Sequence, residues 1–316
     1  MNNKPLVTIV IPVFNGSNYL GEAICSALDQ TYSNIEIIVV NDGSTDNNET
    51  KKLALSFADK IRYIEKENGG VSSALNLGIN LMKGEYFSWL SHDDTLAPDY
   101  VNSQMNKLIQ EGAEAAICQV GIIDDYSKIV STYNNWNVSA FIYDKPYLAN
   151  MIWIYACCIL VKKDFFKETN FFSNNLLTCQ DIEYSYNVLH HCKCVLNFSI
   201  QGYRREHSNN DSKKKHIQEL NVIELNKMIE RIIVNKSIWF FFTKKGQNLN
   251  IFLKFYYLIV YASTFKTFDQ IEFLKSYFKK YRFIFILSYY TSYLIISTYR
   301  IKNFIKGLSL LSRNEF

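Results

Sequence analysis

The chain has 316 residues, of which 48% are hydrophobic and 20% charged, and its formal net charge is +4. This length is enough to bury a full core in one large domain, or in one domain with a sizeable appendage. The seven cysteines show no CxxC spacing, which favours reduced, cytosolic thiols over a disulfide framework.

Two strands and a helix are predicted in the first 42 residues. Residues 6–14, LVTIVIPVF, form a β-branched apolar run that ends at Asn15-Gly16, a pattern typical of a buried parallel strand followed by a turn. Residues 18–30 place apolar side chains at helical spacing, and residues 35–42 form a second buried strand that ends on an acid. Strand, helix and strand in this order make one βαβ unit.

The same alternation continues to residue 94. Residues 43–58 and 69–83 predict helices, and residues 60–66 and 84–94 predict strands. Such a series predicts an open, mostly parallel, Rossmann-like α/β sheet with helices on both faces. Ligands of these sheets bind at the carboxyl ends of the strands, where this chain places a set of polar residues and glycines: Asn15, Asp42, Asn68, Gly69, Gly70, Asp93 and Asp94.

The next hundred residues carry fewer signals. We predict a helix over residues 100–113, a strand over 115–124 and, within 151–166, one or two strands that lead into a helix. A further helix begins near Gln180-Asp181, where the helix dipole favours a carboxylate. A strand then leads into a polar, basic linker, and we place a domain boundary after Ser212.

The acid pair Asp93-Asp94 ends the fourth apolar strand and predicts a cation. Two adjacent carboxylates repel each other and are costly to desolvate. Neither GxGxxG nor GxxxxGK[ST] follows the first strand, so dinucleotide and P-loop sites are disfavoured. We therefore expect carboxylates to bind Mn²⁺ or Mg²⁺, which in turn would hold the diphosphate of a nucleotide.

Four sequence segments stand in a fixed order: VTIVIPVFNGSNYLGEAICSALDQTYSNIEIIVVNDGSTD, ENGGVSSALNLGI, GEYFSWLSHDD and TCQDIEY. Together they resemble the family 2 glycosyltransferases, which have the GT-A fold, over about residues 6–210. The resemblance implies an inverting enzyme that transfers a sugar from a nucleotide-sugar donor. The GT-A catalytic domain would then span residues 1–212, with a nucleotide-binding half (1–99) and an acceptor half (100–212).

The resemblance implies roles on the nucleotide side of the site. Seven residues would line the nucleotide or shape the loop and helix beside it: Pro12, Phe14, Asn15, Asp42, Asn68, Gly70 and Asn76. Asp42 is expected to accept a hydrogen bond from the base, namely from N3–H of uracil. The expected donor is therefore a UDP-sugar.

The resemblance also implies the residues of the reaction. Asp93 matches the metal-binding acid of the family's DxD-type motif, although Ser91 stands where many members carry a first acid. Asp181 matches the catalytic base, which would accept the proton of the acceptor hydroxyl. Further residues would meet the donor sugar or support the metal site: His92, Asp94, Gln180 and His207, with Arg204 and Arg205 as basic candidates.

Residues 213–316 are predicted to be a helical, basic and aromatic-rich region. From residue 237 onward the chain has 12 Lys or Arg against 3 Asp or Glu, and 23 of its 48 aromatic residues. This mixture favours a peripheral position on an anionic membrane surface. Between Arg282 and Arg300 lie 17 residues, fewer than the ~20 of a spanning helix. A nucleic-acid groove or an ordinary helical subdomain would also use such a mixture, but we predict no nucleic-acid partner.

These observations predict a glycosyltransferase at the cytoplasmic face of a membrane, since no secretory signal is visible. The basic, aromatic tail favours a lipid-linked oligosaccharide as the glycan acceptor, as in the assembly of capsule, O-antigen or cell-wall polysaccharide. A nucleotidyltransferase would need a glycine- and lysine-rich loop, which PVFNGSNYL does not offer. Two competing hypotheses are a non-catalytic sugar- or nucleotide-binding protein of the same fold and, more distantly, an RNA-binding protein.

Overall fold

The computed structural model describes residues 4–133, 154–168, 171–208, 210–221 and 223–224. The strands are β1 (Val7–Val13), β2 (Ile35–Asn41), β3 (Arg62–Glu65), β4 (Tyr86–Trp89), β5 (Thr95–Leu96), β6 (Ala115–Ile123), β7 (Ile129–Tyr133), β8 (Ile159–Lys162) and β9 (Cys194–Arg205). The α-helices are α1 (Leu20–Leu28), α2 (Glu49–Leu55), α3 (Gly70–Leu81), α4 (Tyr100–Glu111), α5 (Phe165–Glu168) and α6 (Gln180–His191). Residues 215–221 are also helical.

β1 is the centre of the parallel part of the sheet. Val7 lies opposite Ile35 of β2 on one side and opposite Tyr86 of β4 on the other, and β3 extends the sheet beyond β2. All seven residues of β1 are buried, as expected for a strand covered on both faces. The parallel pairing brings the carboxyl ends of these four strands to one edge of the sheet.

Antiparallel pairs help to complete the other half of the sheet. β8 lies between β4 and β6 and is antiparallel to both, whereas β9 is parallel to β6. The strand order is β3-β2-β1-β4-β8-β6-β9-β5, with β7 paired to β6. The end of β9 brings the backbone N–H of Arg205 within 3.0 Å of Asp94 Oδ1, so the long strand returns the chain to the carboxyl edge of β4.

Helices cover both faces of the sheet. Val10 and Ser88 point to opposite faces, because Val10 is paired with Trp89, the neighbour of Ser88. α3 packs closely on Val10 at Gly78, and α4 reaches Ser88 through a 2.9 Å hydrogen bond to the Tyr100 hydroxyl. The predicted open α/β sheet with helices on both faces is confirmed.

The sequence pattern does not predict β5 and β7. β5 has two residues, and residues 129–132 of the edge strand β7 are all exposed. Within the segment predicted to hold strands and a helix, the described part has a 3₁₀ turn at Ala156–Cys158, then β8 and α5. Such short elements depend on partners that are distant in the chain, which a local pattern does not reveal.

The cysteines behave as structural thiols. All seven lie in described residues and none forms a disulfide, and five are buried: Cys118, Cys157, Cys158, Cys179 and Cys194. Desolvation by burial raises the pKa of the Cys194 thiol above its ordinary range. The Cys194 thiol is therefore a protonated side chain of the core rather than a nucleophile.

Residue contacts divide the chain into two units, 1–221 and 222–316. The boundary predicted after Ser212 lies in the polar segment just before this division. In the described part of the chain, no helix has the length and apolar content needed to cross a membrane. Apart from residues 213–221, 223 and 224, the predicted membrane-associated region lies outside the described residues.

The close contact between α3 and β1 predicts opposite effects of two glycine substitutions. A Cβ atom on Gly78 would lie 2.4 Å from Val10 Cγ1, a stiff β-branched side chain in the core, whereas a Cβ on Gly21 of α1 would meet nothing nearer than 3.8 Å. We expect Gly78→Ala to lower the free energy of unfolding by about 1–2 kcal/mol, because overpacking outweighs the gain in helix propensity. Gly21→Ala should be neutral or raise it by about 0.5 kcal/mol.

Urea unfolding of the two variants and the native chain measures both effects. If Gly78→Ala were as stable as Gly21→Ala, α3 could not approach β1 as closely as described.

Candidate active site

Hydrogen bonds hold together the loops that follow β1 and β2. The backbone N–H of Asn15 donates to Ser44 Oγ at 2.9 Å, and Asn15 Oδ1 accepts a 2.7 Å hydrogen bond from the backbone N–H of Thr45. The N–H of Gly16 donates to Thr50 Oγ1 at 3.0 Å. Asn15 has a positive φ of 49°, a conformation that asparagine tolerates better than most residues. Its side chain therefore fixes the turn beside the predicted nucleotide site.

The carboxylate of Asp42 holds the loop that follows β3. Asp42 Oδ1 accepts hydrogen bonds from Lys66 Nζ at 2.6 Å and from the N–H of Gly69 at 3.0 Å, and Oδ2 accepts one from Gly70 N–H at 2.7 Å. Gly70 has a φ of +83° and begins α3. The buried acid thus lies at the positive end of a helix dipole. Its contact with a uracil base stays a prediction.

Lys66 is a functional candidate that sequence reasoning missed. Its ammonium pairs with Asp42 at the carboxyl edge of the sheet, and its side chain keeps 19% of its surface exposed. The available signal was its place as the last residue of the predicted third strand, at the same edge as the acids. Its ammonium is therefore a positive charge at the edge of the sheet where ligands of such sheets bind.

The other residues predicted to line the nucleotide or its loop differ in their exposure and contacts. Phe14 is 44% exposed, whereas Pro12 is buried in β1. Asn68 is exposed on the loop before α3. Asn76 faces another segment, since its Nδ2 donates a 2.8 Å hydrogen bond to the carbonyl of Phe172. Asn76 therefore holds the segment that leads to α6, a role that the sequence did not predict.

Asp93 and Asp94 follow β4 and differ in their surroundings. Asp93 Oδ2 lies 3.3 Å from His207 Nε2 and 3.4 Å from Asn210 Nδ2, with 19% of the Asp93 side chain exposed. Asp94 is buried, and its Oδ1 accepts the N–H of Arg205. Burial, together with the adjacent charge of Asp93, raises the pKa of Asp94 to about 8. Asp93 is therefore the acid available to a ligand, and Asp94 anchors β9.

His92 packs against the first loop. A Cβ atom on Gly16 would lie 2.3 Å from His92 Cδ2, so the absence of a side chain at Gly16 makes room for the ring. Burial lowers the pKa of His92 below its ordinary value, and its imidazole is therefore neutral at pH 7. Contact with a donor sugar is untested and stays a prediction.

The residues around Asp93 fit a cation that is shared with a substrate. In the parts of the chain that the structure describes, no three His, Cys, Asp or Glu side chains form a group able to hold a metal ion. Asp93 and His207 supply two side chains that can ligate a metal ion, and Asp93 Oδ2 lies 3.3 Å from His207 Nε2. Mg²⁺ usually keeps waters and binds through one or two carboxylates plus phosphate oxygens, and an imidazole extends the choice to Mn²⁺ and similar ions. Asp93 and His207 therefore suit a diphosphate-bound ion better than an all-protein site.

Arg205 points into the protein rather than toward a diphosphate. Its side chain is 0% exposed, and its Nε donates a 2.9 Å hydrogen bond to the carbonyl of Asp93. Nη1 donates to the carbonyl of Asp124 at 2.9 Å, and Nη2 donates to Glu22 Oε2 at 2.7 Å. The suggestion that Arg205 assists the diphosphate directly is wrong, because a fully buried guanidinium cannot reach a ligand.

Asp181 lies in the first turn of α6, as predicted. Its Oδ1 lies 2.8 Å from the backbone N of Ile182, near the positive end of the helix dipole. Gln180 begins the helix, and its buried Oε1 has no hydrogen-bond partner among the described residues. Gln180 lines a small cavity with Phe172 and Tyr184. Asn76 holds the preceding segment at Phe172, so α3 helps to set the approach to the helix that carries Asp181.

Comparison with known proteins identifies related sequences. The family model for glycosyl transferase family 2 matches residues 8–169, about half of the chain. An uncharacterized glycosyltransferase of Rickettsia felis is 46% identical over 231 residues, 69% of this chain and 37% of that protein. Glycosyltransferase GlyA of Streptococcus pneumoniae is 43% identical over 112 residues, 35% of this chain and 16% of that protein. The chain thus spans little more than a third of the R. felis relative.

Solved structures share the fold. The crystal structure of S. aureus TarS 1-349 in complex with UDP-GlcNAc superimposes with a TM-score of 0.56 at 12% sequence identity, covering 87% of this chain and 92% of that one. The complex of the same protein with UDP gives a TM-score of 0.55 at 14% identity, covering 94% and 92%. At this identity the likeness shows the GT-A-like fold, which agrees with the sequence prediction.

The burial of Asp94 predicts a pH-dependent stability. Its pKa in the folded state, about 8, is above the value of about 4 expected in the unfolded chain. Between these values the folded protein holds a proton that the unfolded chain has released, so Asp94 lowers stability as the pH rises through this window. Asp94→Asn removes the titration and keeps an oxygen for Arg205 N–H. We expect the stability of this variant relative to the native chain to rise by at least about 1 kcal/mol from pH 5 to pH 8.

Urea unfolding in EDTA at both pH values tests this expectation. Asp59→Asn, at an exposed position, is the control for loss of one negative charge. Equal pH profiles for Asp94→Asn and the native chain would contradict it.

Proposed function

Because the chain belongs to glycosyltransferase family 2, we propose that it transfers a hexosyl or N-acetylhexosaminyl group from a UDP-sugar to a glycan acceptor with inversion. The observation that carries the proposal is the meeting of Asp93 and His207. They are 114 residues apart in the chain and lie 3.3 Å apart in space. The resemblance to the family implies a cation at Asp93 for the departing diphosphate, and this contact supports His207 as its second ligand.

The loops beside Asp42 support a nucleotide donor. The buried carboxylate, the paired ammonium of Lys66 and the exposed ring of Phe14 offer an acceptor, a donor and a stacking surface for a base and ribose. The TarS complexes with UDP and UDP-GlcNAc support a uridine nucleotide and a sugar of the N-acetylhexosamine type.

The reaction needs a base, and Asp181 is the candidate. An acceptor hydroxyl is a weak nucleophile, so Asp181 would take its proton as the oxygen attacks the anomeric carbon. Asp93 and His207 would hold Mn²⁺ or Mg²⁺, which when bound supplies positive charge for the diphosphate leaving group. One displacement inverts the anomeric carbon without a covalent intermediate. Ser91, in place of another acid, leaves Asp93 as the acid of this motif that carries the cation.

The acceptor is proposed from composition and from the relatives. The basic and aromatic residues beyond position 237 favour a peripheral position at the cytoplasmic face of a membrane and a lipid-linked oligosaccharide acceptor. Hyaluronan synthase of Pasteurella multocida is 35% identical over 137 residues, 42% of this chain and 14% of that protein. This relative supports a role in the synthesis of surface polysaccharide such as capsule or O-antigen.

The test is binding and hydrolysis of donors by the full chain, purified in detergent, with and without Mn²⁺. UDP-, GDP- and dTDP-sugars are compared, and the native chain is compared with Asp93→Ala. Binding of a UDP-sugar that requires Mn²⁺ and is lost in the variant supports the proposal. If no nucleotide-sugar binds, the proposal is wrong, and the competing hypothesis of a non-catalytic, sugar-binding protein of the same fold takes its place.

The proposed role of Asp181 predicts that its substitution slows sugar transfer without weakening donor binding. Asp181→Asn keeps the shape of the side chain and removes the base, so the transfer rate should fall by about 10²–10⁴-fold while the Kd of the donor changes less than about threefold. Glu183→Gln, which removes the same charge from the same turn of α6, is the matched control and should retain most of the activity.

Transfer is measured with a radiolabelled donor and binding by calorimetry. A variant at Asp181 that loses donor binding in proportion to activity would show a structural role instead.

A further inference from the structure

A layer of side-chain contacts lies next to Asp93 and His207. It consists of Arg205 from β9 and Tyr19, which immediately precedes α1. The two side chains touch, since the Arg205 guanidinium lies 4.5 Å from the centre of the Tyr19 ring, a favourable cation–π distance. One residue of this layer reaches Asp93 and the other reaches His207.

Arg205 connects Asp93 to two distant segments. Its Nε bonds the carbonyl of Asp93, and its other nitrogens bond Glu22 in α1 and the carbonyl of Asp124 in the turn between β6 and β7. Nη2 also donates to Ser127 Oγ at 3.1 Å. The guanidinium is rigid and planar, so these bonds set the position of the Asp93 backbone relative to both segments.

Tyr19 connects His207 to the same turn. The two rings have their centres 5.1 Å apart at an angle of 46°. The Tyr19 hydroxyl donates a 2.6 Å hydrogen bond to Asp125 Oδ1, and the carbonyl of Asp125 accepts a 3.3 Å hydrogen bond from Arg205 Nη1. Contacts thus lead from the β6–β7 turn through Arg205 to Asp93 and through Tyr19 to His207, and the two side chains also touch each other.

Stability alone does not account for this arrangement. A buried ion pair often stabilises a fold no more than apolar side chains of the same volume. Arg205 is 0% exposed, while its partner Glu22 keeps 49% of its side chain exposed. The desolvation of the guanidinium is therefore costly, and its hydrogen bonds join Asp93 of the candidate metal site to two segments that are distant in the chain.

We propose that Arg205 and Tyr19 are positioning residues that hold Asp93 and His207 at the spacing needed for a divalent cation on a nucleoside diphosphate. This inference rests on the proposed function, because it needs a cation at Asp93. The β6–β7 turn, with Asp124 and Asp125, then belongs to the support of the site although it contributes no ligand.

The experiment measures Mn²⁺ binding by the full chain with saturating UDP, from the electron paramagnetic resonance signal of free Mn²⁺. Removal of a partner that orients a metal ligand typically costs about 10–100-fold in affinity. We expect this loss for Arg205→Met and a smaller loss for Arg205→Lys, which keeps the charge but not the planar fork. Tyr19→Leu, which loses the ring and the bond to Asp125, should also weaken Mn²⁺ binding. UDP binding in EDTA, which depends on the loops around Asp42, should change little.

Arg62→Met is the matched control. Arg62 pairs with the side chain of Glu36 and donates to the carbonyl of Leu81 at 2.8 Å, at the start of β3. Its loss removes a partly buried ion pair at the opposite end of the strand from Lys66 and should leave Mn²⁺ affinity unchanged. If Arg205→Met does not fold, Glu22→Gln, which leaves the arginine in place, should still weaken Mn²⁺ binding by several fold.

The outcomes separate the two proposals. If the native chain binds UDP but shows no Mn²⁺ binding, the proposed metal-assisted function fails, and the positioning role fails with it. If the native chain binds Mn²⁺, and the folded variants at Arg205, Tyr19 and Glu22 bind it with the affinity of Arg62→Met, the positioning role alone is overturned.

Discussion

The buried guanidinium of Arg205 is the interaction on which the geometry of the candidate site depends. A charge removed from water must replace its hydration by hydrogen bonds, and Arg205 does so with groups on α1, on the turn after β4 and on the turn between β6 and β7. These segments must come together for the charge to be tolerated. The same bonds bring the end of β9, and with it His207, to Asp93.

The two adjacent acids, Asp93 and Asp94, differ in burial and therefore have different roles. Asp94 is buried and holds the backbone of Arg205, and its raised pKa keeps it neutral at pH 7. Asp93 is partly exposed and faces His207. Desolvation thus relieves the repulsion that two neighbouring carboxylates would otherwise exert. One acid of the pair supports the fold, and the other is left for a ligand.

The fold could be predicted where the pattern is local. β1, β2 and α3 have a strong apolar period and turn signals in the sequence, and the structure places each within a few residues of its predicted bounds. The helix predicted to begin near Gln180-Asp181 begins at Gln180. β5 and β7 lack such signals. Their existence depends on pairing with β9 and β6, and pairing energy is invisible in a short stretch of sequence.

For the site, the sequence by itself determined that a set of acids, amides and glycines would follow the parallel strands, because strand periodicity and the rule for parallel sheets are local and general. The tertiary structure alone decided which of them would meet. Lys66 pairs with Asp42 across 24 positions, His207 reaches Asp93 across 114, and Arg205 binds Glu22 across 183. Contacts over such separations depend on how the whole chain packs, since each requires the closure of a long loop and the burial of a charge. For that reason the sequence did not reveal the contacts that assemble the site, such as those of Lys66 with Asp42 and of Arg205 with Glu22.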